Sequence, residues 1–556
     1  MSERLHPRRA RHVLAVAVGT AGATNVVSAM LPAQRARLED LRDKLPLSAT
    51  HVATTATLIA GVTLLVLARQ LWRGKHAAMV AASALLVGSV ALHLAKGLDF
   101  EEAALTALLA TALIVRRKDF FARSDPASIT RFLRTAPLLV AGAFVFGVGA
   151  IFLNRGSVHP APTIGRAVAE VIVGLVGVDG PLRETGRFGT WFPASLVVYG
   201  IGMLAFLTFL FFRPVVQRLQ HHEAERLVAR GVVAANDADS LSYFALRYDK
   251  DYFFNEDRSA FIAYRYVAGI ALISGDPVGP REAWAPLLNG FFVYAAQRDW
   301  TVSIIGAAPG NDDLYARVGL KMFYLGDEAI IDVQAFSLEG RRVRNIRQSA
   351  NHVKREGYRC MLLTTKEVSP DIRAACRRIA HQWRGKAAER GFSMALGRMF
   401  APEDPDCLFV LAVDGDEKPR GFLHLVPYNG GRGYSLEAMR RERSAPAGLN
   451  EFLIIEAVSA LRERGVEKLS LNFATFAQHL AAVTGFHPVR RVSRRALLLA
   501  SRFFQIESLL RFNRKFHPEW LPRYLAYEDA LDLPRAGLAM LQAEAFIRLP
   551  LVGRYF

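Results

Sequence analysis

The apolar residues of this chain of 556 residues gather into long runs ahead of Pro214 and are dispersed after it, so it reads as two parts suited to different solvents. Six apolar stretches of about membrane-spanning length run near 12–31, 50–68, 77–95, 102–115, 136–153 and 191–212, the fourth being the weakest. The first is flanked by Arg4, Arg8, Arg9 and Arg11 and followed by further apolar runs, which marks an anchor and not a cleaved signal. Short loops rich in Lys and Arg stay in the cytoplasm. The N-terminal arm, the 69–75 loop (Arg69, Arg73, Lys75) and the 116–134 loop (Arg116, Arg117, Lys118, Arg123, Arg131, Arg134) therefore share that side. The 96–101 loop sets Lys96 against Asp99 and Glu101, and the 32–49 and 154–190 connections mix both signs, so these fall outside. An even number of spans places both termini in the cytoplasm. The amphipathic stretch Ile164 to Val178 is expected as a short helix over the outer ends of the bundle, with an interfacial or re-entrant helix as the alternative. With no acidic side chain to mark an ion pathway, the membrane part reads as an anchor or lipid-access scaffold.

A formal charge of +19 and a pI near 10.1 point to an anionic partner, nucleic acid or an acidic membrane surface. Cys360, Cys376 and Cys407 cannot form a disulfide framework, which excludes a small secreted, disulfide-stapled protein. No Cys or His pair has zinc-ligand spacing, and neither Gly-x-x-x-x-Gly-Lys-Ser/Thr nor a Gly-x-Gly-x-x-Gly after a strand is present. No metal, cofactor or ATP-driven activation is expected.

From about 222 the pattern changes to β segments alternating with amphipathic helices, the signature of α/β layers. Two stretches share one order. A hairpin-like run from Ala260 to Ser274 leads through Gly-Asp-Pro-Val-Gly (275–279) into a helix over 281–297 and a strand over Thr301–Gly306. Strands over Leu408–Val413, Gly421–Pro427 and Tyr434–Met439 lead through a Pro/Gly loop into a helix over 450–464 and a strand over Lys468–Phe473. That order builds an acetyltransferase-like fold. The expected fold class is a multi-spanning helical membrane domain followed by two tandem acetyltransferase-like (GNAT) lobes. The expected domains are 1–221 (membrane, about six transmembrane helices), 222–366 (first lobe with a basic linker helix), 367–540 (second lobe) and 541–556 (tail). The Gly-rich turn that binds acetyl-coenzyme A pyrophosphate is missing from the second lobe, so a different activated acyl donor comes into view. The basic run Glu339–Glu356, read as a helix, groups Arg341, Arg344, Arg347 and Lys354 near one face, with Arg342 and Arg355 to the side. Such a stripe suits phosphates of RNA or of lipid headgroups; a solvated face is the alternative.

Residues 223–530 resemble the cytoplasmic synthase domain of the multiple peptide resistance factors, the phosphatidylglycerol lysyltransferases and alanyltransferases. The resemblance rests on Ser-Leu-Ser-Tyr-Phe-Ala-Leu-Arg (240–247) with Asp249 and Lys250, on Gly-Asp-Pro-Val-Gly (275–279), on Leu-Gly-Asp-Glu-Ala (325–329), and on Phe-Ser-Leu-Glu-Gly (336–340) with Arg344, Asn345 and Arg347. It continues through Trp383, Gly391, Phe392 and Ser393; Met439 and Arg440; Pro446, Gly448 and Phe452; and Lys515, Phe516, Trp520, Pro522, Arg523 and Tyr524. It implies an aminoacyltransferase moving an aminoacyl group from aminoacyl-tRNA to a glycerol hydroxyl of phosphatidylglycerol at the cytoplasmic membrane. The product lowers negative surface charge and serves antimicrobial peptide resistance. The donor ester is already activated, which agrees with the missing ATP site, and both substrates are anionic.

Such a transfer needs a base, donors for the developing oxyanion and a counter-charge for the α-ammonium. By the family match Glu437 takes the ammonium or base role, Arg440 steadies the carbonyl oxygen or a terminal phosphate, and Glu451 is a second candidate base. Asn450, Lys515 and Arg523 are the matching substrate-binding candidates. Structural alternatives stand beside these: Glu437 and Arg440 pairing across a strand end, Glu451 as a helix N-terminal charge, and Lys515 and Arg523 as solvated cations. Trp383 and Trp520 read as packing residues, and His352, His381 and His479 as isolated histidines. Departures from the family also count. Fewer spans argue against lipid translocation, and Glu437 and Glu451 stand where lysyl-type members commonly have Asp, which opens the donor's identity. No lysyl-tRNA synthetase domain is appended, so charged tRNA is expected from elsewhere. Transfer to diacylglycerol or another lipid, and a non-catalytic scaffold, are the rival readings; a homo-oligomer is left open.

Overall fold

A computed structural model describes residues 2–30, 47–97, 100–120, 126–211, 223–385, 391–475, 506–530 and 532–546. The 32–49 connection thus lies almost wholly outside the described residues, and His479 lies outside them. The chain divides into two compact units, Met1–Val216 with Tyr294–Trp300, and Gln217–Val293 with Thr301–Phe556.

In the first unit the six apolar stretches fall in helices α1 (Ser2–Met30), α2 (Leu47–Trp72), α3 (His76–Gly97), α4 (Phe100–Val115), α5 (Pro126–Leu153) and, after a short intervening helix, α7 (Gly186–Phe211). Among the described residues two segments are long and apolar enough to cross a membrane, Phe132–Leu153 in α5 and Gly186–Thr208 in α7. Ile59–Trp72, His76–Val90 and Ala104–Val115 are shorter apolar helical segments. Val145 and Leu153 are 76% and 87% exposed, apolar surface that water would not favour. Small residues let α1 and α2 approach closely: a Cβ on Gly22 would stand 2.8 Å from the Gly61 carbonyl oxygen. The stretch from Ile164 forms the intervening helix α6 (Ile164–Gly174), capped by the Thr163 side chain accepting from Arg166 N. It lies against α5 and α7, and its buried Glu170 accepts from Leu182 N at 2.8 Å. A two-stranded ribbon, β1 (Val158–His159) with β2 (Arg183–Glu184), closes this connection.

Among the described residues of the second unit, eleven strands make one sheet: β3 (Asp251–Phe254), β4 (Phe261–Val267), β5 (Ile270–Ser274), β6 (Thr301–Ala307), β7 (Lys321–Asp332), β8 (Arg359–Thr364), β9 (Leu408–Val413), β10 (Pro419–Tyr428), β11 (Gly433–Arg441), β12 (Lys468–Thr475) and β13 (Glu519–Tyr527). Their order is β3-β4-β5-β6-β13-β7-β12-β11-β10-β9-β8. Within it β5–β6 and β11–β12 are the parallel pairs, and a parallel pair requires a crossover. Helix α9 (Arg281–Gln297) connects the first pair and α13 (Leu449–Glu463) the second. The repeated order legible in the sequence is therefore an acetyltransferase-like arrangement built twice.

The two copies share strands. β13, late in the chain, enters the middle of the sheet antiparallel to both β6 and β7, while β7 also pairs with β12. Pro522 has no N–H to give a central ladder, and the register shifts beside it between Arg523 and Tyr524. At that break Arg523 is buried. It donates from Nε to Glu328 Oε2 at 2.7 Å, from Nη1 to Asp239 Oδ2 at 2.8 Å, from Nη2 to Ser240 Oγ at 2.8 Å, and to the Gly306 carbonyl at 3.3 Å. Ser240 and Ser470 each donate to Glu328 Oε1 at 2.5 Å.

Three cores flank the sheet. Helices α8 (Glu223–Ala235) and α15 (Leu533–Ala543), the turn Ser242–Leu246 and Phe392 with Leu396 cover one face of β4 and β5. Along β9, Leu408, Val410 and Ala412 pack with α13 and with α11 (Arg344–Arg355), whereas the alternating Phe409, Leu411 and Val413 pack with α12 (Pro370–Arg384). Two short helices, α10 (Asp312–Arg317) and α14 (Ile506–Arg514), lie against β7 and β12.

Arg523→Met leaves Glu328 buried without its charge partner, so stability of the sheet should fall by about 3–5 kcal/mol. Hydrogen exchange should show lost amide protection in β7 and β13. The combined Arg523→Met and Glu328→Gln change should cost less than the sum of the single changes.

Candidate active site

Glu437 and Arg440 are three residues apart, a spacing that puts side chains on opposite faces of a regular strand. β11 is not regular there. His424 of β10 faces Ala438 and Leu425 faces Leu436, so Glu437 is the extra residue of a β-bulge. Arg440 pairs with Phe422, two residues from His424 along β10, and the bulge brings Glu437 to their face.

The Glu437 side chain is 5% exposed. Its Oε2 lies 3.0 Å from His424 Nδ1, and its Oε1 accepts from Gly397 N at 3.2 Å. His424 is stacked on Phe409 with ring centroids 4.4 Å apart, and Phe409 on Phe400 at 4.3 Å. Burial alone would raise the Glu437 pKa. The His424 hydrogen bond and charge, the nearby Arg440 and the Gly397 amide outweigh it and hold the carboxyl below its ordinary range. Above this anion the Arg440 guanidinium lies 3.9 Å from the Trp383 ring centroid and donates to the Met439 carbonyl at 3.3 Å. Trp383, expected to be packed, is instead 49% exposed.

The remaining sequence-derived residues lie elsewhere. Glu451 is in the first turn of α13, in the layer on the other side of the sheet from α12, and pairs with Lys515 at 2.7 Å. Beside it Asn450 has a buried Oδ1 with no partner among the described residues. α13 starts at Gly448, whose φ of 91° and 2.8 Å approach to Ser349 Cβ admit no side chain. The basic helix begins at Arg344, later than the expected Glu339, because Ile346, Ala350 and Val353 supply the face that packs on α13; Arg341 falls in the turn before it. Arg341 and Arg344 are exposed, Arg347 donates to the Leu338 carbonyl, and Lys354 pairs with Glu456 at 2.7 Å. Arg523 sits in the sheet interior described above. His352 pairs with Glu356 at 3.0 Å, and His381 is exposed. Asp276 of the Gly-Asp-Pro-Val-Gly loop accepts from Asn311 at 2.8 Å and from the Tyr315 hydroxyl, with burial pushing its pKa up to about 6.

His424 and Gly397 gave no signal in the sequence. A lone histidine on an apolar strand looks like any core histidine until its neighbour is known. Lys250 carried a weak signal as part of a family motif. It is buried, donates to the Phe244 carbonyl and Ser274 Oγ, each at 2.6 Å, and lies 4.8 Å from the Phe392 centroid. Among the described residues no His, Cys, Asp and Glu group is arranged to hold a metal.

A family model described as the C-terminal region of phosphatidylglycerol lysyltransferase matches residues 230–527, more than half of the chain. The chain belongs to this family. Members similar to it include the lysylphosphatidylglycerol biosynthesis bifunctional protein LysX of Rhodococcus opacus, 40% identical over 328 residues that cover 58% of this chain and 29% of that protein. LysX of Mycobacterium tuberculosis H37Rv is 35% identical over 448 residues, 80% of this chain and 38% of that protein. The chain thus spans less than half the length of these relatives. Among solved structures, the C-terminal domain of an Agrobacterium fabrum protein assigned as a lysylphosphatidylglycerol synthetase matches with TM-score 0.51 and 25% identity, over 58% of this chain and 98% of that one. L-PGS from Bacillus licheniformis matches with TM-score 0.52 and 21% identity, over 62% and 99%. These likenesses place the α/β unit in the lysyltransferase C-terminal fold.

Burial pushes the Lys250 pKa down to about 7 from 10.5, against the pull of Asp249. Between those values the unfolded chain binds a proton that the folded chain does not, so this group makes stability rise with pH across that window. The stability difference between wild type and Lys250→Met should therefore change steadily from pH 7 to about 9 in chemical denaturation. A pH-independent difference would contradict the assignment.

Proposed function

We propose that this protein transfers an aminoacyl group from aminoacyl-tRNA to phosphatidylglycerol at the cytoplasmic membrane. The observation that carries the proposal is the buried Glu437 carboxylate, with Arg440 brought to its side by the bulge, in a member of the phosphatidylglycerol lysyltransferase family. A carboxyl held below its usual pKa stays ionised at neutral pH and is a weak base. Of the two roles open to it, Glu437 fits counter-ion to the amino acid's α-ammonium. Arg440, cationic and partly exposed, suits the oxygen that gains charge as the ester carbonyl is attacked. The lipid glycerol oxygen bonds to that carbonyl carbon, the ribose oxygen leaves, and the hydroxyl proton passes from lipid to RNA. One ester replaces another, so no ATP is consumed.

Lys515, held by Glu451 and with Asn450 beside it, is assigned to a substrate phosphate away from the reacting ester, because it lies in the layer on the other side of the sheet from Glu437. Arg523 acts by holding β13 in place. The exposed Arg341 and Arg344, with Arg347 and Lys354, form the phosphate-facing stripe for RNA or lipid. The first unit is assigned as a multi-pass membrane anchor of about six spans with both termini cytoplasmic, which keeps the enzyme beside its acceptor.

Lipids extracted from cells with and without the gene should differ by a ninhydrin-positive species containing headgroup phosphate. A phosphate-free aminoacyl lipid would point to diacylglycerol as acceptor, and no new lipid despite good expression to a non-catalytic scaffold. Glu437→Gln and Arg440→Ala should each lower product formation from charged tRNA by about 100-fold or more while membrane insertion persists; wild-type yield would remove them from the site. Neutralising Arg341, Arg344 and Arg347 together should weaken tRNA dependence and flatten its salt response.

A further inference from the structure

Helix α12 presents two unlike surfaces. Ala375, Cys376 and Ile379 are buried, the last two in one cluster with Phe409 and Phe422. The opposite surface carries Arg377, Arg378 and Arg384, all exposed, and no acidic residue follows Asp371 in the helix. Strand β11 runs out beside it to the exposed Arg443. The acid between them, Glu442, is held by Arg420 at 3.0 Å and approached by Arg378 at 3.8 Å. Bordering this cationic surface, one turn beyond Ile379 on the sheet-facing side of α12, stands the half-exposed indole of Trp383, with the guanidinium of Arg440 laid on its ring.

An indole backed by a guanidinium is a flat, electron-rich, positively supported surface. Nucleobases stack on such surfaces without regard to sequence. A lipid bilayer asks for something different, an apolar stripe that can enter the acyl region. The apolar stripe of α12 is buried against the sheet, and Trp383 stands alone among cations. Charge and ring geometry together therefore favour a single-stranded RNA end over a membrane surface. Position agrees with chemistry. Arg440 touches the indole and, three residues along the bulged strand, shares a face with Glu437. A base stacked on Trp383 holds its own ribose, and the ester that ribose carries, next to the carboxylate. Arg377 lies about 9 Å along the helix axis from Trp383, within reach of the phosphates that precede the terminal nucleotide.

We propose that Trp383, backed by Arg440, is the stacking platform for the terminal base of the RNA donor, and that Arg377, Arg378 and Arg384 take the adjoining phosphates. This rests on the tRNA-dependent reading above and assigns the donor end to the α12 face of the sheet.

The test uses the full-length detergent-solubilised protein and a tRNA that supports product formation by the wild type. Binding is measured by fluorescence anisotropy with that tRNA, uncharged and labelled, and with the same tRNA trimmed of its terminal adenosine. Trp383→Ala should weaken binding of the intact tRNA by about 5- to 100-fold, the loss of one stacked base, and leave the trimmed tRNA unaffected. Trp383→Phe, which keeps an aromatic face, should restore most of the difference. Replacing Arg377, Arg378 and Arg384 by Gln should weaken both tRNAs and reduce the slope of log affinity against log salt by about 2. The proposal is overturned if Trp383→Ala binds both tRNAs as the wild type does, or if it loses only cosedimentation with phosphatidylglycerol vesicles. Should Trp383→Ala fail to fold, the arginine variant and the Trp383→Phe comparison of intact with trimmed tRNA decide it. If no charged tRNA yields product with the wild type, the functional reading itself fails, a result distinct from these.

Discussion

The α/β unit depends on one buried guanidinium. Two charges removed from water destabilise a fold unless every donor and acceptor finds a partner, and the pair formed by Arg523 and Glu328 comes close to that condition. Arg523 meets Glu328, Asp239, Ser240 and the Gly306 carbonyl, while Ser240 and Ser470 complete the carboxylate. These groups come from a turn ahead of β3, from β6, from β7, from β12 and from β13. The network is thus the place where two acetyltransferase-like copies become one sheet, and the proline beside Arg523 is tolerated in a central strand because side-chain bonds hold what the ladder does not.

The sheet so joined separates two kinds of electrostatics. On the α12 side a carboxylate is shielded by stacked aromatic rings and an imidazole, with a cation at its rim. On the α13 side Glu451 and Lys515 form a more open pair at a helix start. A low dielectric strengthens the first arrangement and solvent screens the second.

Much of this fold was legible in the residues. Strands β4 to β6 and β9 to β12 stand where alternation and Gly/Pro punctuation placed them, because their side chains answer to local period and turn chemistry. What stayed hidden depended on partners distant in sequence. Nothing in Lys515 to Tyr527 says that this segment enters the sheet between β6 and β7. That Glu437 and Arg440 stand at a strand end was readable, but the bulge follows from the pairing of β11 with His424 and Leu425. Trp383 looked like packing because tryptophan usually is. The basic helix was placed five residues too early because charge, unlike the apolar spacing of Ile346, Ala350 and Val353, does not mark where a helix starts.

One short segment carries a consequence of its own. Gly397, which donates to Glu437, follows a stretch tied down from two sides: Arg247 donates to the carbonyls of Gly391 and Ala395, and Glu544, just past α15, accepts from Phe392 N, Ser393 N and Ser393 Oγ. The residue just past α15 is therefore a remote tether on the Glu437 carboxylate. A substitution that disturbs Glu544 would loosen the oxygen cradle of Glu437 without touching any neighbour of that side chain, so a change about a hundred residues further along the chain reaches this carboxylate through the backbone between them.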